Sequence, residues 1–356
     1  MNGTGVICMK RLAVLFVLLA LLLTGCELPE KTQSGSVSGA GLTVHYIDVG
    51  QADSILLQCD GEAMLIDGGN VADSQTVVSY LQHQGVEELS YVVNTHAHED
   101  HVGGLAGVLA AFEADAVWCP VTEYESQCFA DFVTYTEAQG LSLTCPEPGS
   151  VFPLGEAQVT VLGPQEAYDD PNNTSIVLRV DYGETSFLFT GDMERTAEED
   201  LLDAGAALEA DVLKAGHHGS DTSSSYPFLR AVDPEAVVIS VGEDNTYGHP
   251  DEAALSRFRD LGAAVYRTDL QGDVVFTSDG TEITVSTERE AAVTNPTEYD
   301  GSGQFSGGTT YIGNVNSQKF HLPTCSSLPA PENQTTFSSY DAAVEAGYSP
   351  CSRCLG

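Results

Sequence analysis

The segment Thr95-His96-Ala97-His98-Glu99-Asp100-His101 constrains the fold of this chain more than any other feature. It follows an apolar run at residues 90–94 that is typical of a buried strand. In an extended segment His96 and His98 point to the same side, so both can bind one ion. Asp100 and His101, in the turn that follows, can reach a second ion. Because Zn²⁺, Mn²⁺ and Fe²⁺ take histidine and aspartate as ligands, the sequence predicts a divalent-metal site at a strand end.

The apolar pattern around this segment mixes strands and helices throughout. Strands are predicted at residues 42–48, 54–59, 63–66, 90–94, 158–162, 175–181, 185–190, 211–214, 236–241, 263–267, 273–277 and 282–286. Helices are predicted near residues 73–84, 102–112, 194–204, 224–232 and 251–261. Two similar halves of this kind predict an α+β fold in which two sheets pack face to face with helices outside.

Further motifs lie on both sides of the histidine segment, in a fixed order. They are Asp48-Val49-Gly50-Gln51-Ala52-Asp53-Ser54, Leu65-Ile66-Asp67-Gly68-Gly69, Thr190-Gly191-Asp192, Leu213-Lys214-Ala215-Gly216-His217-His218-Gly219-Ser220 and Tyr247-Gly248-His249-Pro250. Together they resemble the metallo-β-lactamase superfamily, in the branch typified by the C-terminal domain of ComEC/Rec2 competence proteins. The resemblance covers residues 42–286. It implies an αββα sandwich with a dinuclear metal site between the sheets and a metal-dependent hydrolase activity.

The resemblance also implies the ligands of that site. His96 and His98 resemble ligands of the first metal, and Asp100 and His101 ligands of the second. Asp192 resembles the carboxylate that bridges both ions. One of His217 and His218 resembles the last ligand, and the sequence does not choose between them. Asp67 is expected to orient a ligand from behind, or to be a turn aspartate.

One position departs from the pattern of many hydrolases of the superfamily. No histidine lies between His101 and Asp192, where those enzymes carry one more ligand. The matching region, residues 171–175, contains Asn173, whose amide oxygen is a candidate ligand; hydrogen bonding within the loop is the alternative. A site with fewer histidines favours Mn²⁺ over a closed Zn²⁺ site. We therefore expect one or two divalent ions, Mn²⁺ or Zn²⁺, in the hydrolase domain.

Four further groups are candidates for the reaction itself. Asp100 could hold or deprotonate an attacking water activated by the metal. Lys214 is expected to offset developing negative charge, or to be a solvent-facing strand lysine. The segment from Gly219 to Ser225, which includes Ser220, either offers backbone amides to a phosphate or caps the helix that follows. His249 is a candidate general acid or phosphate contact, with a structural turn role as the alternative.

The N-terminus is predicted to be a targeting signal rather than part of the folded domain. Lys10 and Arg11 precede an apolar run at residues 12–23, which is too short to span a bilayer comfortably. The run ends at Cys26 in a sequence that resembles a bacterial lipobox. We expect residues 1–25 to be a signal peptide, Cys26 to carry the lipid that anchors the protein to the membrane, and residues 26–41 to be a tether. An uncleaved anchor is the alternative, and both interpretations place the protein outside the cytoplasm.

The other cysteines fall into two sets. Cys59, Cys119, Cys128 and Cys145 show no metal-like spacing, and the sequence does not pair them. After a predicted linker at residues 287–309, a unit at residues 310–356 contains three cysteines and one histidine with the ligand types of a closed zinc site: His321, Cys325, Cys351 and Cys354. This unit resembles the metal-binding module of Ada-type DNA repair proteins. One of its ligands is histidine, so a structural or docking role is favoured over methyl transfer; a Cys351–Cys354 disulfide is the alternative.

The charge of the chain restricts its function. With 13 Lys and Arg against 52 Asp and Glu, the formal net charge is −39, which argues against sequence-independent electrostatic binding of nucleic acid. The resemblance nevertheless points to a phosphodiesterase or nuclease, with DNA or a cell-wall polymer as the phosphodiester. The alternative is a surface binding module with a weakly active or inactive hydrolase core. No protein partner is predicted.

Overall fold

The computed structural model describes residues 41–291, 311–323, 325–338 and 340–355, without the side chains of Asp341 and Glu345. The predicted signal peptide, Cys26 and most of the predicted tether and linker lie outside the described residues. No helix in the described ranges is both long and apolar enough to span a bilayer.

The first fifteen strands of the described chain form two sheets. They are β1 (Leu42–Tyr46), β2 (Ile55–Cys59), β3 (Glu62–Ile66), β4 (Glu88–Val93), β5 (Glu113–Trp118), β6 (Leu143–Thr144), β7 (Val151–Leu154), β8 (Ala157–Gly163), β9 (Val177–Tyr182), β10 (Thr185–Phe189), β11 (Val212–Lys214), β12 (Ala236–Ile239), β13 (Ala264–Arg267), β14 (Val274–Ser278) and β15 (Ile283–Thr287). The order is β15-β14-β1-β2-β3-β4-β5-β6 in the first sheet and β13-β12-β11-β10-β9-β8-β7 in the second.

Helices cover the outer faces of both sheets. Those of the described chain are α1 (Ser74–His83), α2 (Glu99–Val102), α3 (Leu105–Ala111), α4 (Gln127–Ala138), α5 (Arg195–Asp203), α6 (Tyr226–Val232), α7 (Glu252–Leu261), α8 (Thr268–Gln271) and α9 (Tyr340–Glu345). Short 3₁₀ turns occupy Val71–Asp73, Pro171–Thr174, Gly216–Gly219 and Pro331–Asn333.

Three apolar clusters define the layers of the sandwich. The central cluster joins inward-facing residues of both sheets, such as Tyr46 and Ile66 from the first and Phe187 and Phe189 from the second. A second cluster packs α1, α3 and α4 on the outer face of the first sheet, and a third packs α5, α6 and α7 on the second. The predicted αββα sandwich is therefore confirmed.

Parts of the first half were not predicted from the apolar pattern. Strand β5 begins with Glu113 and contains a second carboxylate at Asp115, so its alternation is weak. Helix α4 buries one face, including Phe129 and Phe132, but its other positions mix polar residues with Ala130 and Val133, which weakens the helical pattern. Tertiary packing rather than local propensity decides such segments.

The C-terminal residues form a separate small sheet. Its strands are β16 (Tyr311–Asn314), β17 (Lys319–His321), β18 (Gln334–Phe337) and β19 (Ser349–Pro350), in the order β18-β16-β17-β19. Its buried apolar residues, which include Tyr311, Phe320 and Leu355, form one cluster with Tyr226 of α6. This zinc-module cluster is small, as expected for a short unit that depends on a metal.

Candidate metal centre

The candidate ligands lie where the strands of the two sheets end. Asp67 follows β3 and the histidine segment follows β4, and these two strands are parallel neighbours. In the second sheet Asp192 follows β10 and the His217-His218 pair follows β11, again parallel neighbours. Because parallel strands present their carboxyl ends at one edge, the two sheets bring these side chains together.

Four side chains form a metal-binding group between the sheets. Ligand atoms of Asp100, His101, Asp192 and His218 all lie within 4.8 Å of one another. Asp192 reaches His101 Nε2 with Oδ1 at 3.3 Å and His218 Nε2 with Oδ2 at 3.5 Å. His101 Nε2 and Asp192 Oδ1 are buried and have no hydrogen-bond partner within the described structure. Two orphaned buried atoms that face each other in this donor set fit a divalent cation.

The backbone of the β11 turn separates the two adjacent histidines. His217 and His218 both have left-handed backbone angles, with φ of 48° and 52°. His218 is buried and joins the group of four, while the His217 side chain is 24% exposed and lies 3.1 Å from Glu194 Oε1 through Nδ1. The structure thus places His218 at the ligand position and His217 at its rim.

His96 and His98 lie beside this group but outside it. His96 Nε2 is 3.0 Å from His98 Nδ1, and the His96 ring centroid is 4.1 Å from that of His101. Burial, reinforced by the neighbouring His101, holds the pKa of His96 well below its usual value. A neutral imidazole is the form that binds a metal, so His96 is in the form that can bind an ion beside the group of four.

The charges of the group reinforce one another. Burial raises the pKa of Asp192, but His218 and His101 outweigh it and hold that pKa well below its usual value. Burial lowers the pKa of His101, but Asp192, Asp67 and Asp100 hold it well above the usual value. The carboxylate is therefore charged, and without a metal the imidazole of His101 carries a proton in its place.

This charge pattern predicts how the metal-free protein responds to pH. Because the folded-state pKa of His101 is raised, its stabilising effect is fully present below the unfolded value and is lost as pH rises through the folded value. We expect the chelator-treated protein to melt at a lower temperature at about pH 9 than at about pH 6, and His101→Gln to reduce that difference. The exposed His83 provides the control His83→Gln, which should leave the difference unchanged. Equal pH dependence in the native protein and in His101→Gln would contradict the interpretation.

Asp67 contacts the ring nitrogen of His101 that faces away from the metal-binding group. Its Oδ2 lies 2.8 Å from His101 Nδ1 and accepts a hydrogen bond from Thr95 Oγ1, while its Oδ1 accepts from the Thr95 amide. Asn94 Nδ2 donates to the His96 carbonyl at 2.6 Å and also points at Asp67. These contacts fix the His101 ring with Nε2 facing the metal group.

We expect Asp67→Asn to weaken metal binding in the core by about 10-fold to 100-fold, because the amide cannot supply both acceptor oxygens to the ring and to Thr95. A metal titration against a competing chelator measures the change. Asp60→Asn, at an exposed turn, is the matched control. If Asp67→Asn bound the core metal with unchanged affinity, Asp67 would be a turn residue without a role in orienting His101.

Lys214 does not face the substrate side of the site, contrary to the expectation from sequence. It is fully buried, and its Nζ lies 2.5 Å from Asp53 Oδ2 and donates to the Gly191 carbonyl. Asp53 also approaches His218 Nδ1 at 3.4 Å. Asp53 belongs to the Asp48–Ser54 motif, but the sequence alone does not indicate a role for it. Only the tertiary structure shows that Asp53 is buried next to Lys214.

For two other groups of the second half, the structure favours the alternative interpretation given from sequence. The amide oxygen of Asn173 accepts from the backbone of Glu194 and Ala197, so it caps α5 rather than binding a metal. The amides of Ser224 and Ser225 donate to the buried carboxylate of Glu198, which leaves them unavailable to a phosphate.

Ser220 and His249 lie at the rim of the centre. Ser220 is buried and its hydroxyl bonds to Thr222, which in turn donates to Glu194. The His249 ring centroid is 5.5 Å from that of His217, and its Nδ1 is buried with no hydrogen-bond partner in the ranges described. Burial, reinforced by His217 and His218, lowers the pKa of His249.

A second metal-binding group lies in the C-terminal unit. His321, Cys325, Cys351 and Cys354 have ligand atoms within 4.8 Å of one another, and the cysteines are free thiols rather than a disulfide. Burial raises the pKa of Cys325, but hydrogen bonds from Ser327 and contacts with His321 and Cys354 bring it down to about 6. Three sulfurs and one imidazole, one of the thiols already acidic, fit a structural zinc ion.

Comparisons with known proteins agree with this geometry. The model of the metal binding domain of Ada matches residues 299–355. Competence protein ComA of Neisseria gonorrhoeae is 36% identical over 232 residues, covering 64% of this chain and 31% of that protein. ComE operon protein 3 of Bacillus subtilis (strain 168) is 27% identical over 254 residues, covering 65% and 32%. The chain thus spans about a third of the length of these relatives.

The similar solved structures have low sequence identity to this chain. The metallo-beta-lactamase fold protein YhfI from Bacillus subtilis superimposes with a TM-score of 0.48 at 13% identity, covering 67% of this chain and 100% of that one. The model of the metallo-beta-lactamase superfamily matches residues 47–243, the part of the chain that carries His96, Asp192 and His218. The chain therefore belongs to the metallo-β-lactamase superfamily.

Proposed function

We propose that this protein is an extracytoplasmic, metal-dependent phosphodiesterase, held at the membrane by lipid on Cys26. The observation that carries the proposed activity is the group of Asp100, His101, Asp192 and His218, in which three members are buried and the Asp100 side chain is 31% exposed. A bound divalent ion at such a group supplies Lewis acidity and an activated water. Mn²⁺ and Zn²⁺ are the candidate ions.

The side chains around the group suggest their parts in the reaction. Asp100 is the member that solvent reaches, so its outer oxygen can accept a proton from the attacking water. Glu194 stays ionised because a hydrogen bond with His217 lowers its pKa, and it turns the His217 ring so that Nε2 lies 3.8 Å from Asp192. His249, next to His217, is placed to donate a hydrogen bond to the departing oxygen.

The charge distribution bears on the substrate. Residues 32–178 contain no Lys or Arg but 21 Asp and Glu, and the nearby Lys214 is committed to Asp53. Basic side chains of residues 32–178 therefore cannot bind the phosphate, and we assign its binding to the metal centre. The resemblance to ComEC/Rec2 competence proteins favours DNA, whereas the charge of this chain favours a less densely charged phosphodiester such as a cell-wall polymer.

The test is hydrolysis of bis(p-nitrophenyl) phosphate by protein starting at Glu27, with Mn²⁺ or Zn²⁺ and with chelator alone. We expect turnover that requires the added ion. Single-stranded DNA and purified wall polymer then follow as substrates, at low and high salt, since added salt should favour DNA cleavage by screening the acidic surface. If the core retains its metal but hydrolyses neither bis(p-nitrophenyl) phosphate nor DNA nor the wall polymer, the result would support the alternative of a binding module.

A further inference from the structure

The C-terminal module packs directly against the hydrolase domain through three tyrosines. Tyr311, the first residue of β16, is fully buried, and its hydroxyl donates to the carboxylate of Asp260 and lies against the hydroxyl of Tyr226. Tyr226 itself donates to Asp260 Oδ2 at 2.5 Å. The Tyr340 ring packs on Tyr226 with centroids 4.0 Å apart, and the Arg230 guanidinium lies 4.7 Å from the Tyr340 ring.

Tyr226 is also the end of the loop that carries the metal ligand His218. Residues 216–225 run from β11 to α6, and we call them the histidine loop. The buried Glu198 accepts from the amides of Ser224 and Ser225 at 2.5 and 2.9 Å. Tyr226, the first residue of α6, is held by the module, so the C-terminal end of the histidine loop is fixed in place.

Helix α7 connects the histidine loop to the module a second time. The buried Arg257 donates to the carbonyls of Ser223 at 2.7 Å and Asp221 at 3.3 Å. Asp260 lies three residues further on, close to the same helix face, and accepts from both tyrosines. At the start of α7, the Asp251 amide donates to the Gly219 carbonyl at 2.8 Å, just beyond His249. One helix therefore contacts the loop at two points and the module at a third.

We propose that the zinc module positions the histidine loop, and that Tyr311 is a positioning residue acting through Tyr226 and Asp260. This inference rests on the proposed function of the metal centre. The docking surface belongs to the zinc-module cluster, in which Phe320 and Leu322 flank the ligand His321 and Leu355 follows the ligand Cys354. The zinc ion thus stabilises the docking surface of the module, and this surface in turn positions the histidine loop. The module therefore acts on the metal centre of its own chain.

The test compares Tyr311→Ala with Tyr311→Phe in otherwise unaltered protein starting at Glu27. We expect Tyr311→Ala to speed hydrogen exchange of the amides of residues 219–226 at least about tenfold, because local opening loses its anchor. We expect kcat to fall about tenfold with KM within about twofold, since His218 and His249 shift while substrate contacts remain. Tyr311→Phe keeps the ring but removes the hydroxyl that bonds to Asp260, so it should retain zinc and change both properties in the same direction by a smaller amount.

Val315→Ala is the matched control, because Val315 lies in the module and its side chain is exposed. It should change neither exchange in the loop nor kcat. If Tyr311→Ala loses its zinc, Asp260→Asn tests the same link from the hydrolase side. Native exchange rates at residues 219–226 in a zinc-loaded Tyr311→Ala or in Asp260→Asn would overturn the proposal. Exchange is read without turnover, so this result is independent of whether the core is a phosphodiesterase.

Discussion

Asp192→Ala should abolish core metal binding and turnover together. Asp192 is almost fully buried and its two oxygens face His101 and His218, so alanine removes the anion that holds both imidazoles around one site. Residues that act as a unit lose most of their effect when one is removed, and we expect kcat to fall by at least about three orders of magnitude. Metal titration and hydrolysis of bis(p-nitrophenyl) phosphate measure the two losses.

Glu137→Ala, on the exposed face of α4, is the control for the loss of one carboxylate from an acidic protein. It should keep native metal affinity and native turnover. Full turnover in Asp192→Ala would rule out the assignment of the centre. Loss of turnover with retained metal would instead show that Asp192 acts on the reaction without being needed as a ligand.

Cys351→Ser should remove the zinc of the C-terminal module and unfold that module. The module has a small apolar core, and binding of a structural zinc ion supplies about 10–16 kcal/mol in comparable small units. In an Asp192→Ala background the core holds no metal, so bound zinc should fall from one equivalent to none. Metal analysis measures the zinc, and exposure of Tyr340 to solvent reports unfolding of the module.

Cys145→Ser is the control, since Cys145 is an exposed free thiol outside the zinc group. It should retain one equivalent of zinc. A Cys351–Cys354 disulfide in place of the zinc site would appear as two missing free thiols and no zinc in the parent protein, and would refute the prediction.

The sequence alone determined the chemistry of both metal sites. Ligand types at close spacing after apolar strands predict a metal site at His96, His98, Asp100 and His101, because the side chains that bind divalent ions are few and rarely cluster by chance. The structure places Asp100 and His101 in the group of four, with His96 and His98 beside it. The same reasoning identified the C-terminal group from two pairs of ligands. The sandwich followed from alternating apolar patterns, whose periods of two and 3.6 residues are local properties.

The tertiary structure decided which groups meet. In the turn after β11, the backbone angles direct His218 inward and leave His217 at the rim. The two side chains are identical, so the sequence pattern alone does not distinguish them. Lys214 is buried against Asp53, and Glu198 takes the amides of Ser224 and Ser225. Each of these contacts joins residues far apart in the chain, and desolvation makes each pairing obligatory only once the sheets have closed over it. The docking of Tyr311 on Tyr226 is of the same kind, since neither ring's neighbourhood indicates the other.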